Sequence, residues 1–303
     1  MSRLLHTGQV IVDLVMGLDT LPASGGDVLA NSASFQVGGG FNVMAAARRN
    51  GLSVVYLGRH GEGRFGELAR AAMQAEGIEM ALAASAGKDT GLCVSLTEAS
   101  TERTFISHLG AEGELSADDL ARIVPRVDDY VYVSGYSLLL EGKAQPLLDW
   151  LQALPREIVV VFDPGPMVKA LDSALMRALL PRIDIWTSNG PEALAFTGAA
   201  DMSQALPMLN QHLQALLVVR DGPNGCWVGR GAQIEHVPGF KVQAVDSNGA
   251  GDAHAGVFIA GLANGLKAVE AARRANAAAA LAVTRWGPAT SPGTAEVDAL
   301  VAE

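Results

Sequence analysis

Residues 158–197 read IVVVFDPGPMVKALDSALMRALLPRIDIWTSNGPEALAFT. The run 158–162 is β-branched and aromatic throughout, a second strand-like run fills 184–188, and residues 191–197 behind it have helical composition. Short apolar runs closed by Gly, Pro and Asn predict strands, and a helix behind each predicts a parallel sheet built from βαβ units. The pattern repeats outward in both directions. Strand-like runs occur at 9–15, 53–57, 129–134 and 216–219, and helical patterns at 43–50, 65–76, 143–153, 204–213, 253–264 and 268–286. Right-handed crossovers then put helices on both faces of the sheet. The expected fold is α/β, a three-layer sandwich with a central, mostly parallel sheet.

Two stretches, 18–37 and 90–109, break this rhythm with strands that lack intervening helices. In the second, Leu92, Val94 and Leu96 alternate with Cys93, Ser95 and Thr97, the period of a sheet with one covered face. They predict a small β lid beside the mouth of the main sheet. No linker, charge run or internal repeat marks a second domain, so residues 1–303 are expected to form one domain carrying that lid.

The chain carries 22 Lys and Arg against 32 Asp and Glu, a net charge of −10. That balance argues against nucleic acid or an anionic membrane as partner, since both need clustered cations, and favours a small molecule. The longest strictly apolar run, 277–283, is far below the ~20 residues of a membrane span. The segment Met1–Thr7 has no long apolar region or small-residue cleavage site, which predicts a cytoplasmic protein. Cys93 and Cys226 have neither zinc nor redox spacing and are expected to be buried free thiols.

Glycine carries the chemical signal. Asp246-Ser247-Asn248-Gly249-Ala250-Gly251-Asp252-Ala253-His254 precedes an apolar helix. A Gly-x-Gly turn at a helix start aims unpaired N–H groups outward, and the helix dipole adds positive charge, which together make a phosphate cradle. A carboxylate beside a phosphate needs a reason, and Asp252 as a general base supplies one. Read alone, Asp252 is equally a first-turn acid favoured by the dipole. The second cluster, Gly38-Gly39-Gly40-Phe41-Asn42, exposes backbone donors and an amide suited to vicinal hydroxyls, or it is a turn in which Asn42 caps a helix. Asn189-Gly-Pro-Glu192 follows a strand, where the pair suits a hydrated Mg²⁺ or a capping box. Arg220-Asp-Gly222 makes a turn suited to a nucleotide's edge. Gly61-Glu-Gly63-Arg-Phe-Gly66 matches a dinucleotide fingerprint, but Glu62 stands where a pyrophosphate needs backbone alone and the strand before it is not the first.

These motifs, in this order, resemble the ribokinase (PfkB) family of carbohydrate and nucleoside kinases along essentially the whole chain. The amino-terminal pattern is Gly38-Gly39-Gly40-Phe41-Asn42 with its Ala-rich helix, the carboxy-terminal one Asp246 to Ala253, with Asn189-x-x-Glu192 and the Ala-rich 275–285 segment between and after. The resemblance implies an ATP-dependent kinase in which Asp252 deprotonates a substrate hydroxyl and Gly249, Ala250 and Gly251 form the anion hole. It implies that Asp13, Gly38, Gly39, Asn42 and Glu141 bind the sugar. It implies that Asn189 and Glu192 organise Mg²⁺ and phosphates, and that Arg220, Gly222 and Asn276 line the ATP site. Asp246, a backbone oxygen of Asn248 and the loop ending at Ser291 are implied to hold K⁺, and the lid to cover the sugar and pair between two subunits. The chain departs from the pattern with Asn248, Phe41, Met44 and His254, the last expected to be packed in the first turn of its helix.

No Lys or Arg lies between Arg3 and Arg48, the stretch that supplies much of the pocket. A dianionic sugar phosphate would need such a cation, so the expected acceptor is a free sugar or nucleoside. Lys88, Arg103 and His108 leave room for a phosphorylated-sugar kinase, and a sugar- or nucleotide-binding sensor without turnover is the non-enzymatic alternative.

Overall fold

The computed structural model describes residues 2–100 and 102–303. Its strands in chain order are β1 (Arg3–His6), β2 (Val10–Leu18), β3 (Ser32–Gly39), β4 (Ser53–Tyr56), β5 (Glu79–Met80), β6 (Leu92–Glu98), β7 (Arg103–His108) and β8 (Tyr130–Ser134). They continue with β9 (Val159–Asp163), β10 (Ile185–Asn189), β11 (Leu216–Arg220), β12 (Gly225–Arg230) and β13 (Gln233–Pro238). Nine form one sheet in the order β13-β12-β11-β10-β9-β8-β1-β4-β5. It is parallel except at the β11–β12 and β12–β13 pairings, which close one edge with an antiparallel hairpin.

Both faces are covered because both sets of alternating side chains are apolar. In β8, Val131 and Val133 join one buried cluster with Leu5, Phe162, Trp186 and Val219, while Tyr132 joins the other with Leu4, Val161, Ile185 and Val218. Helices Glu141–Ala153, Ser173–Leu179 and Met202–His212 cover the first face. Helices Gly40–Arg49, Ala250–Ala263 and Ala268–Ala282 cover the second. Each large side chain so buried contributes about 1.5–3 kcal/mol, and truncating the fully enclosed Trp186 to Ala removes about 3–5 kcal/mol.

The second sheet has the order β3-β2-β6-β7. Its composition corrects one expectation: the strand at 9–15 does not open the main sheet. The chain leaves the main sheet at Thr7-Gly8, where the Gly8 N–H donates to His6 Nδ1 and the Thr7 hydroxyl to the Tyr132 carbonyl, and the next strand, β2, belongs to the lid. The true first strand, β1, is only four residues long and was missed for that reason. The lid thus contains 10–18 in addition to parts of both expected stretches, and residues 19–31 between β2 and β3 form a loop rather than a strand. Strands β12 and β13 and the helices Ser173–Leu179 and Thr294–Val301 were also not foreseen. The last long helix stops at Ala282, four residues before Trp286. No helix among the described residues is long and apolar enough to cross a membrane. Cys93 and Cys226 are buried free thiols, as expected.

Candidate active site

The helix Ala250–Ala263 begins with Gly249 in the left-handed region, φ 72°. A Cβ there would also lie 1.8 Å from the Pro288 carbonyl oxygen, so only glycine fits. The turn leaves the Gly251 and Asp252 N–H groups without acceptors among the described residues, the ordinary state of a helix's first turn and a site prepared for an anion.

Asp252, in that first turn, is partly buried. Its Oδ2 accepts a hydrogen bond from Asn42 Nδ2 at 2.9 Å. The two residues are 210 apart in sequence and meet because their helices cross at very short range. A Cβ on Gly256 would sit 2.4 Å from the Val43 carbonyl oxygen, and Ala46 and Ala47 present equally small surfaces. Burial pushes the Asp252 carboxyl up to about 6; the Asn42 amide and the Arg220 charge oppose that, while Asp163 and Glu192 add to it. A carboxylate tuned this way is ionised at neutral pH yet basic enough to take a proton from a hydroxyl.

Asp13 lies in the middle of β2, paired with Gln36 on β3 and Cys93 on β6. It faces Asp252 from the lid, and burial, with the Asp252 charge behind it, raises its carboxyl to about 6 against the opposing hydrogen bond from Cys93. Gly38 leaves it room, since a Cβ there would lie 2.2 Å from Asp13 Oδ2. Gly39 lies directly before the helix that carries Asn42. The same lid face continues as Val15, Ser34, Gln36, Ser95 and Thr97 along a cavity of about 380 Å³ that ends at Arg103, Asp246 and Trp286. Glu141 is not drawn into this group; it is exposed in the first turn of its helix, with no hydrogen bond among the described residues.

On the other side of Asp252, Arg220 at the end of β11 is held by three groups. Its Nη1 donates to Thr187 Oγ1 at 2.6 Å, and its Nη2 lies 3.3 Å from Asp163 Oδ2 and 3.8 Å from Glu192 Oε2. Asn189 and Glu192 form the capping box of the helix Gly190–Thr197, each side chain accepting the other's backbone N–H at 2.8 Å. Glu192 is buried, which raises its carboxyl, as does neighbouring Asp163, and its Oε1 has no hydrogen-bond partner among the described residues. One uncommitted hard oxygen beside Asp163 fits a hydrated Mg²⁺ held through water, and no cluster of three or more His, Cys, Asp or Glu able to hold a metal directly exists among the described residues. Gly222 starts an exposed turn after β11. Asn276 is buried, donating to the Val237 and Pro238 carbonyls and facing His254 Nε2 at 3.1 Å, so its amide is engaged inside the fold. His254 is packed as expected, and burial drives it down to about 3, hence neutral.

Two of the three implied K⁺ ligand groups, Asp246 and the loop ending at Ser291, are already engaged by donors of this chain. Asp246 Oδ1 pairs with the Arg103 guanidinium and accepts the Asn248 N–H at 2.9 Å, and Oδ2 accepts the Gly287 N–H at 3.0 Å. The Ser291 carbonyl accepts Arg49 Nη1 at 2.8 Å. At the dinucleotide-like glycines the helix N-terminus is already filled: Asp89 accepts the Phe65 and Gly66 N–H groups at 3.1 and 2.8 Å.

Asp163, Thr187, Cys93 and Arg49 were missed by sequence reasoning, and Arg103 was read only as a cation that a phosphorylated acceptor could use. Asp163 alone left a signal, as a carboxylate closing the strand 158–162 at the sheet's C-terminal edge, where open α/β sheets bind ligands.

A family model described as pfkB family carbohydrate kinase matches residues 1–295. A relative described as an uncharacterized sugar kinase, YegV of Escherichia coli (strain K12), is 30% identical over 301 residues, covering 98% of this chain and 93% of its own. An adenosine kinase of Schizophyllum commune is 28% identical over 78% of this chain and 75% of its own. A crystal structure of fructokinase from Vibrio cholerae O395, in a fructose-, ADP- and calcium-bound form, shares the fold with a TM-score of 0.85 at 21% identity, covering 99% of each chain. The chain belongs to the pfkB family of carbohydrate kinases.

Proposed function

We propose that this kinase moves the γ-phosphoryl group of ATP to a hydroxymethyl group of an uncharged sugar or nucleoside, with Asp252 as the general base. The observation that carries this reading is the Asp252–Asn42 pair at the open N-terminus of the helix Ala250–Ala263. It joins a tuned base to unpaired N–H donors. Asp13 and Asn42 hold the acceptor's hydroxyls, with Gly38 and Gly39 clearing the approach. Asp252 takes the proton as the acceptor oxygen bonds to the γ-phosphorus; the bond from that phosphorus to the β-γ bridging oxygen breaks, and ADP leaves. Gly249, Ala250 and Gly251 shape the turn whose N–H groups meet the charge on the transferring phosphoryl group. Arg220 faces the phosphates, and the turn at Gly222 edges the nucleotide. Glu192 and Asn189 hold Mg²⁺ through water, and that ion, when bound, neutralises phosphate charge.

Charge supports an uncharged acceptor. Lys88 pairs with Glu114, Arg103 with Asp246, and Arg220 with Asp163 and Glu192, which leaves none of these cations unpaired to meet a second phosphate. The lid's outer face carries Leu14, Met16, Phe35, Val94, Leu96 and Ile106, with Phe35 43% and Ile106 62% exposed. We propose a second copy of the chain as its cover, which sedimentation would show as a dimer that Ile106→Asp dissolves.

ADP release from ATP and Mg²⁺ against free pentoses, hexoses, nucleosides and their phosphates tests the function, with Asp252→Asn as the blank. The variant is expected to bind both substrates and to lose about 10²–10⁴ in turnover. Turnover confined to phosphorylated sugars defeats the charge reading, and ATP binding without turnover on any acceptor brings back the sensor.

A further inference from the structure

The lid and the phosphate loop are joined by one ion pair. Arg103 opens β7 on the lid; Asp246 opens the loop that ends in the anion hole, and their side chains are only 19% and 9% exposed. Asp246 also fixes that loop directly, since its two oxygens accept the Asn248 and Gly287 N–H groups. The facing loop is held the same way. Arg49 Nη1 donates to the carbonyls of Ala289 and Ser291 at 2.9 and 2.8 Å, Arg285 Nη1 to that of Thr290 at 3.3 Å, and Asn50 Nδ2 to that of Pro292 at 3.1 Å. Both oxygens of Asp246 and the carbonyls of residues 289–292 therefore face side-chain or backbone donors of this chain.

We infer that Arg103 is the positioning residue of the anion hole, its guanidinium standing where a monovalent cation would sit, so that phosphoryl transfer proceeds without K⁺. The inference rests on the kinase reading of Asp252 and its helix N-terminus. The physical grounds are charge and preorganisation. A guanidinium is always ionised, forms charge-assisted hydrogen bonds, and is tethered at a fixed place, whereas K⁺ must be captured from solution and stripped of water. Neutralising Asp246 also removes a fixed negative charge from the loop that receives a phosphate, an effect K⁺ would otherwise supply.

The test compares KCl with choline chloride at equal ionic strength, choline being too large for the site, using wild type, Arg103→Ala and Arg103→Lys. Initial rates and thermal midpoints are both read, the midpoints without substrates. Wild type is expected to turn over equally in both salts within about twofold, the scale of ordinary screening effects. Arg103→Ala should fall on the order of tenfold to a hundredfold in choline chloride, the scale of a displaced anion hole, and regain most of that loss in KCl. Its midpoint should rise in KCl while that of wild type stays put, and Arg103→Lys should behave like wild type. Strong activation of wild type by K⁺ overturns the inference. So does full activity of Arg103→Ala in choline chloride, or an Arg103→Ala protein whose rate and midpoint both ignore K⁺. Should no acceptor react with wild type, the kinase reading fails by itself, and the substrate-free midpoints still decide the cation question.

Discussion

Replacing Asn42 with Ala tests how the base is tuned. The Asn42 amide donates to Asp252 Oδ2 at 2.9 Å and holds down a carboxyl that burial has raised to about 6. A hydrogen bond to a charged group is worth about 1.5–3 kcal/mol, and one pKa unit is about 1.4 kcal/mol, so its loss should raise Asp252 by roughly one to two units. At pH 7 the ionised fraction then falls from roughly nine tenths to between a tenth and a half, a loss of about twofold to tenfold in addition to any pH-independent loss of hydroxyl binding. The assay is kcat/KM for the acceptor from pH 5 to pH 9, at saturating ATP, with ADP quantified by chromatography. The acid limb of the profile should move up by one to two units (about 1.4–2.8 kcal/mol) and the pH-dependent part of the loss should vanish at the alkaline end. A profile that drops evenly at every pH, with its acid limb unmoved, would refute the assignment of Asn42 as the group that tunes the base.

Asp252→Asn should stabilise the protein while disabling it. The folded carboxyl, at about 6, lies above its unfolded value of 3.8, so this acid subtracts stability as pH rises from about 4 through 6 and subtracts a constant amount above that. Removing it should add up to about 3 kcal/mol at pH 7.5 and almost nothing at pH 4, a difference that thermal melts at the two pH values would show; equal melts count against a strained base. Gly256→Val should force apart the helices Gly40–Arg49 and Ala250–Ala263, because a Cβ there meets the Val43 carbonyl oxygen at 2.4 Å. Overpacking of this kind removes about 1–3 kcal/mol of stability, and turnover should fall further than the melt implies because the Asn42–Asp252 hydrogen bond stretches; wild-type turnover in a destabilised Gly256→Val would break that link.

Much of the architecture is legible from local pattern. Strands β8, β9 and β11 are Val-rich runs apolar on both faces, and such runs have few other stable fates than a sheet covered on two sides. The glycines before Asp252 and before Asn42 are legible for a similar reason: a Gly-rich turn ahead of an apolar helix exposes donors wherever it folds. Strand β1 was not legible, because four residues hold too little periodicity to separate it from β2, and the two are parted only by a turn fastened to Tyr132, over a hundred residues away. Glu141 and Asn276 show the limit for single residues. Position relative to a motif does not say whether a side chain turns outward, as Glu141 does, or into a buried carbonyl cage, as Asn276 does.

By itself the sequence determined the α/β class, the two glycine-led helix starts and the acidic residue that a phosphate site must explain, because each follows from chain geometry over a few residues. Tertiary structure decided which groups meet. The Gly256 crossing set Asn42 against Asp252, β2 carried Asp13 into the lid to face them, and Arg103 reached across from that lid to Asp246. Those pairings bridge separations of up to 210 residues, and at that range only packing, not local preference, fixes the distance between two side chains.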